Sequence, residues 1–157
     1  MNFQQNKKDV LRKLDEYKHL KAKKHEENPE VEQQTPNVDD DKEYRVMLFC
    51  KKTDYMQTII DKLNKTAPTI SFDDSEQAIA FCYDNAIKLL VLDMDDPTDW
   101  KKSTDVFTGI KMLVTDSRIV CITKHPLSIP IQTLEAQKAI IIKKPFDMNH
   151  LLGALGL

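Results

Sequence analysis

Residues 88–97 read KLLVLDMDDP: an aliphatic run ends at Asp93, and a turn-type cluster closes on Pro97. The run holds no Gly or Pro and no position set aside for water. It reads as a strand buried on both faces. Short runs of the same kind lie on either side, at Tyr44–Cys50 (YRVMLFC), Thr69–Phe72, Ile119–Thr123 (IVCIT) and Ala139–Ile142. Helical stretches separate them. Thr53–Asn64 opens on capping-type residues and puts Met56, Ile59, Ile60 and Leu63 on one face. Asp73 and Glu76 have capping-box spacing ahead of Ala78, Ile79, Phe81 and Cys82. Trp100–Leu113, Ser128–Gln137 (with Pro130 confined to a first turn) and Met148–Leu155 complete the series. Strand and helix thus alternate five times over 44–157. The pattern predicts an α/β fold, a doubly wound five-stranded parallel sheet in a (βα)5 three-layer sandwich.

Composition changes upstream of residue 44. Residues 1–25 carry eight Lys+Arg and three acids, a net +5. Residues 26–43 carry one Lys and eight acids, a net −7, while 44–157 balance at 14 of each sign. Val10, Leu11, Leu14, Tyr17 and Leu20 form a thin helical stripe in the first segment. The reading is a basic amphipathic helix over 1–27, with about four turns of apolar face and marginal alone in water. An acidic flexible linker follows over 28–43, where Pro29, Pro36 and the Asp39–Asp41 triplet leave little to bury. The third segment is the 44–157 domain. The helix is expected to dock on a partner, fold back, or pair with a copy of itself as a homodimer.

Several function classes fall away. The net charge of −2 argues against a dedicated nucleic-acid binder. Three glycines, Gly109, Gly153 and Gly156, cannot build a phosphate-cradling loop. No apolar run is long enough for a membrane span, and no signal peptide is evident at the N-terminus. Cys50, Cys82 and Cys121 are odd in number and set among apolar residues. They read as buried hydrophobes in a reducing compartment, so a cytoplasmic location is expected. His125 and His150 read as surface groups.

In doubly wound sheets the functional crevice lies beyond the C-terminal strand ends. Those ends present Cys50 and Lys51, then Asp93, then Thr123, then Lys144-Pro145-Phe146. A strand-end Asp can act as a nucleophile toward a phosphoryl donor, with a Lys and a hydroxyl to hold the phosphoryl oxygens. With Pro97 four residues after Asp93, Thr123 thirty residues on, and Lys-Pro after the last strand, 44–157 resembles the receiver domain of bacterial two-component response regulators, chemotaxis-type single-domain receivers among them. The resemblance implies a flavodoxin-like fold, Asp93 as the phospho-acceptor position, Thr123 and Lys144 as switch and phosphate-contact positions, and a Lys144–Pro145 bond that is often cis in the family. It also implies an output face made by the helix before the fifth strand, that strand and the last helix. Here those residues include Ile141, Lys143, Met148, Leu151 and Leu152.

The departures decide the expected function. Receivers carry an acidic pair after the first strand that holds Mg²⁺; here the pair is Cys50 and Lys51. A thiol suits Mg²⁺ badly and an ammonium repels it. Ile141 replaces the family's aromatic switch residue. A Lys51–Asp93 ion pair is one candidate for the metal's place, attracting by about 4 kcal/mol at ~4 Å before desolvation, and Lys144 reads as a structural partner of Asp93 rather than a phosphate ligand. The expectation is a pseudo-receiver, a non-enzymatic signalling or scaffold module that binds protein partners through its C-terminal face and N-terminal helix, without a cofactor and without Mg²⁺-dependent aspartyl phosphorylation. The alternative is a working single-domain response regulator, phosphorylated on Asp93 by a histidine kinase with Mg²⁺ held weakly by Asp93 and Asp95. A flavodoxin-like cofactor binder ranks third, since CKKTD offers no phosphate-binding turn.

Overall fold

The computed structural model describes residues 3–27, 38–39 and 41–157. The chain divides into two units, Met1–Val38 and Asp39–Leu157. In the first, helix α1 (Phe3–Glu27) runs for 25 residues. It outlasts the four-turn apolar stripe because Lys, Gln, Glu and Ala, good helix formers, flank that stripe on both sides. Most of the expected linker at 28–43 lies outside the described residues. Within its described part, the Lys42 N–H donates to the Asp39 carbonyl at 3.0 Å.

The second unit is one five-stranded sheet in the order β2-β1-β3-β4-β5, every pair parallel. The strands are β1 (Val46–Phe49), β2 (Thr69–Phe72), β3 (Leu89–Asp93), β4 (Arg118–Thr123) and β5 (Ile140–Lys143). The helices are α2 (Asp54–Asn64), α3 (Ser75–Asn85), α4 (Trp100–Leu113), α5 (Ile129–Ala136) and α6 (Met148–Leu155). A single 3-10 turn, Pro97–Asp99, leads into α4. This is the expected receiver-type, flavodoxin-like sandwich.

Alternation along the strands sorts side chains into two cores. Met47, Phe49, Leu90, Leu92, Ile119 and Cys121 meet Ala78 and Cys82 of α3, Val106, Phe107 and Ile110 of α4, and Ile131 and Leu134 of α5. Val46, Leu48, Val91, Val120, Ile122 and Ile142 meet Met56, Ile59 and Leu63 of α2 and Leu151 and Leu155 of α6. At roughly 1.5–3 kcal/mol for each large side chain buried, these two layers are the main force holding the unit together.

The helix ends follow local chemistry. Thr53 caps α2, its hydroxyl accepting from the Met56 N–H at 3.2 Å. The expected capping box on Asp73 and Glu76 does not form. Asp74 caps α3 instead, accepting from the Gln77 N–H at 2.9 Å, one residue later in the same acidic pair. Gly156 closes α6 at φ +75°, where its missing Cβ leaves room for the Arg118 guanidinium. Among the described residues no helix is long and apolar enough to cross a membrane.

Candidate functional site

Register brings the strand ends level. Phe49 pairs with Leu92, Asp93 with Ile122, and Thr123 with Lys143. Backbone bonds carry the ladder a step further, with Met94 N–H donating to the Ile122 carbonyl at 3.0 Å and Lys144 N–H to the Thr123 carbonyl at 2.9 Å. Cys50, Asp93, Thr123 and Lys144, far apart in sequence, therefore stand side by side. Cys50, Asp93 and Lys144 border a crevice of about 890 Å³ that Tyr55, Asp73, Lys102, Ser103 and Pro145 also line, while Thr123 is buried behind it. The Lys144–Pro145 bond is cis.

Lys144 is the centre of the site. Its side chain is only 5% exposed, and Nζ donates to Asp93 Oδ1 at 2.8 Å and to Asp95 Oδ2 at 2.7 Å. The ammonium also lies 5.1 Å from the centre of the Tyr55 ring, within cation–π range. Burial works against its charge, but the bonds to Asp93 and Asp95 outweigh burial and hold its pKa above the ordinary 10.5. Asp95 is tied a second time: its Oδ1 accepts the Lys124 N–H at 2.6 Å.

The expected Lys51–Asp93 pair does not form. Lys51 leaves the sheet into solvent and bonds to Asp99 at 2.7 Å and Asp96 at 3.0 Å, pinning the β1–α2 loop to the 3-10 turn. Those bonds raise the pKa of Lys51, Asp99 ahead of Asp96. Asp96 is held down to about 2, chiefly because the Thr98 hydroxyl and N–H donate to it and then because Lys51 does. Cys50 is buried beside Asp93. Burial, reinforced by the charges of Asp93 and Asp73, pushes its thiol up to about 12, so it is inert at neutral pH.

Thr123 is fully buried. Its hydroxyl donates to the Met94 carbonyl at 3.0 Å and accepts the His125 N–H at 3.0 Å. Trp100 Nε1 donates to the same Met94 carbonyl at 2.8 Å, and the tryptophan is half-buried. Sequence reasoning missed Tyr55, Asp96, Asp99 and the Lys124 N–H. The Asp96-Pro97-Thr98-Asp99 turn was the available signal for the two carboxylates; nothing in the sequence marked the other two.

The expected partner face is divided. Lys143 is exposed, and Met148 and Leu152 are half-buried. Leu151 has no exposed surface and belongs to the core under α6, because it falls on the helix face turned to the sheet. Ile141 packs on the opposite side of the sheet, against the core shared by α3, α4 and α5.

No protein-family model matches the sequence, and neither does any curated protein. Solved structures do match in fold. The signal receiver domain assigned to a LuxO repressor protein from Vibrio parahaemolyticus aligns with TM-score 0.59 at 19% identity, over 73% of this chain and 88% of that one. The pseudo-receiver domain of the CikA protein aligns with TM-score 0.56 at 15% identity, over 71% and 93%. A structure described as adenylate cyclase from Rhodopirellula baltica aligns with TM-score 0.59 at 16% identity, over 73% and 86%. At these identities the likeness is one of fold: the chain carries a receiver fold.

Proposed function

We propose that the protein is a non-enzymatic signalling or scaffold module that binds protein partners without Mg²⁺-dependent phosphorylation of Asp93. One observation carries this reading: the cation at Asp93 is the protein's own, the Lys144 ammonium, shared with Asp95 at 2.8 and 2.7 Å. The other donors near Asp93 do not fit a divalent metal. Mg²⁺ wants near-octahedral oxygen ligands, and the residue level with Asp93 on the neighbouring strand is the Cys50 thiol. Both carboxylates are already engaged.

Phosphoryl transfer to a carboxylate requires its developing charge to be neutralised. A single ammonium held by two carboxylates leaves a net negative cluster that repels an incoming phosphoryl donor. The same cluster fixes one arrangement of the strand ends without any modification. Likeness in fold to a pseudo-receiver domain supports the reading. The partner surface is proposed at α5, β5 and α6, with exposed Lys143 and half-buried Met148 and Leu152, and α1 as a second docking element. Two weak contacts on one chain give avidity when the tether spans them.

The test is intact-mass analysis of the full chain after incubation with acetyl phosphate and Mg²⁺, beside Asp93→Asn. No added phosphoryl group is expected on either protein. One phosphoryl group on the wild type, lost in Asp93→Asn, refutes the reading and makes this a working phospho-switch.

A further inference from the structure

The other end of the sheet carries a second concentration of charge. There the N-terminal strand ends border a cleft of about 550 Å³, within the roughly 300–1,000 Å³ of small-molecule sites. Lys42 and Arg45 line it from the segment before β1, Lys88 from the residue before β3, and Arg118 from the first residue of β4. Register gathers them. Val46 pairs with Leu89 and Leu89 with Arg118, and the Arg118 N–H donates to the Lys88 carbonyl at 2.7 Å. Arg45 and Lys88, each one residue before the first of those pairs, enter the sheet as neighbours. Among the described residues none of the four cations is ion-paired, whereas Lys51, Lys101 and Lys144 each have a carboxylate oxygen within 3.2 Å. Two acids, Glu43 and Asp116, line the same cleft without reaching a cation, which leaves it a net +2. Arg118 is also placed. Its guanidinium lies against Gly156 at the end of α6, where a Cβ would meet Nη1 at 2.6 Å, and the partial negative charge of a helix C-terminus favours a cation there.

We propose that this cleft binds a small dianion, a phosphate monoester or a dicarboxylate, through Arg45, Lys88 and Arg118. Unpaired like charges gathered at one sheet end repel one another, and a cleft with protein walls focuses their field on an anion that enters. One dianion cancels the net +2, whereas a monoanion leaves half of it. Each guanidinium fork can take two oxygens of a phosphate or carboxylate group at once, and Lys88 adds a compact point charge. Leu89 and Leu155 give the cleft an apolar wall suited to a short carbon skeleton. The cleft lies at the opposite ends of the strands from Asp93, so this inference does not depend on the function proposed for that site.

The full chain is titrated at low ionic strength with phenyl phosphate, succinate and acetate in turn, while the backbone amide resonances are followed. Saturable shifts at Lys88, Arg118 and Gly156 are expected with at least one of the two dianions, and acetate is expected to bind at least about tenfold more weakly. The phosphate and succinate arms tell which dianion the cleft prefers. Arg45→Gln and Arg118→Gln, both at exposed positions, are each expected to weaken that binding at least about fivefold. Lys62→Gln removes the same unit of charge from an exposed position on α2, outside the cleft, and is expected to change affinity less than about twofold. Saturation is expected to raise the melting temperature of the wild type, since the ligand binds the folded chain. Acetate binding as tightly as the dianions overturns the proposal, as do equal losses in Lys62→Gln and the two arginine variants. Shifts confined to the crevice around Lys124, or no saturable shift up to about 50 mM ligand, overturn it equally. Binding of a hexaglutamate peptide with none of either dianion overturns it in favour of a peptide-docking face.

Discussion

Replacing Lys144 by Met keeps the apolar stem of the side chain and removes its ammonium. The Lys144 side chain is 5% exposed, Asp93 17% and Asp95 25%, so the carboxylates left behind are poorly hydrated. Both oxygens sit within 2.8 Å of one nitrogen, which puts them no more than about 5.5 Å apart. Two like charges at that separation repel by about 3 kcal/mol at an effective dielectric near 20. Breaking a buried pair from one side costs roughly 3–5 kcal/mol by mutational experience, so the two estimates agree. The expected loss is about 3 kcal/mol, a lowering of the melting temperature by roughly 10 °C for a unit of this size. Urea unfolding followed by circular dichroism and Trp100 fluorescence measures it. Combining Lys144→Met with Asp93→Asn and Asp95→Asn recovers most of the loss, since a neutral cluster has no stranded charge. A loss below about 1 kcal/mol, the scale of an exposed ion pair, refutes the reasoning.

Other consequences follow from the same geometry. Because the pKa of Lys144 is raised by its partners, their contribution is fully present below 10.5 and is lost as pH rises through the higher folded value. Alkaline urea titrations above that pH should show a loss of stability in the wild type that Lys144→Met lacks. Lys51→Ala breaks contacts that are 59% exposed on the lysine side, and is expected to leave the urea midpoint nearly unchanged, with any difference vanishing in 1 M salt. The three thiols, each pushed up to about 12 chiefly by burial, should react with Ellman's reagent at least about a hundredfold more slowly in the folded than in the unfolded chain. Gly109 brings α4 close to α3: a Cβ there would meet Ile79 Cδ1 at 2.9 Å. Gly109→Val should therefore lower the unfolding midpoint sharply, by about 2 kcal/mol or more, while the movable Ile79 tip keeps Gly109→Ala milder.

The sheet was legible because its physics is local. Wholly apolar runs of four to six residues have one stable home in a soluble protein, between two layers of helices. Thr69–Phe72, Trp100–Leu113 and Met148–Leu155 appear with the bounds their periodicity indicates. The misses are also local. Asp73 and Asp74 are both competent caps, and only the turn leaving β2 decides that Asp74 meets the Gln77 N–H. Leu151 looks like any other apolar residue of the last helix; which side of that helix faces the sheet depends on how the Lys144–Pro145 turn delivers it.

Lys144 was legible as a partner of Asp93, whereas the destination of Lys51 was not, and the reason lies in the ladder. β1 is the immediate neighbour of β3, whereas β5 is two strands away, so proximity of strands favours Lys51 as the partner of Asp93. Register reverses that preference. Phe49 stands opposite Leu92, which leaves Cys50 level with Asp93 and carries Lys51 one step past it into solvent. There the Asp96–Asp99 turn offers two carboxylates that reach Lys51 with its side chain still 59% exposed. Lys144 sits level with the end of β4, and its long apolar stem lets the ammonium cross the β4 end to Asp93 while remaining buried. A buried ammonium needs more compensation than one carboxylate provides. Asp95, Asp93 and the Tyr55 ring together provide it, which is why a residue that reads as turn chemistry in the sequence becomes the second anchor of the site in the folded chain.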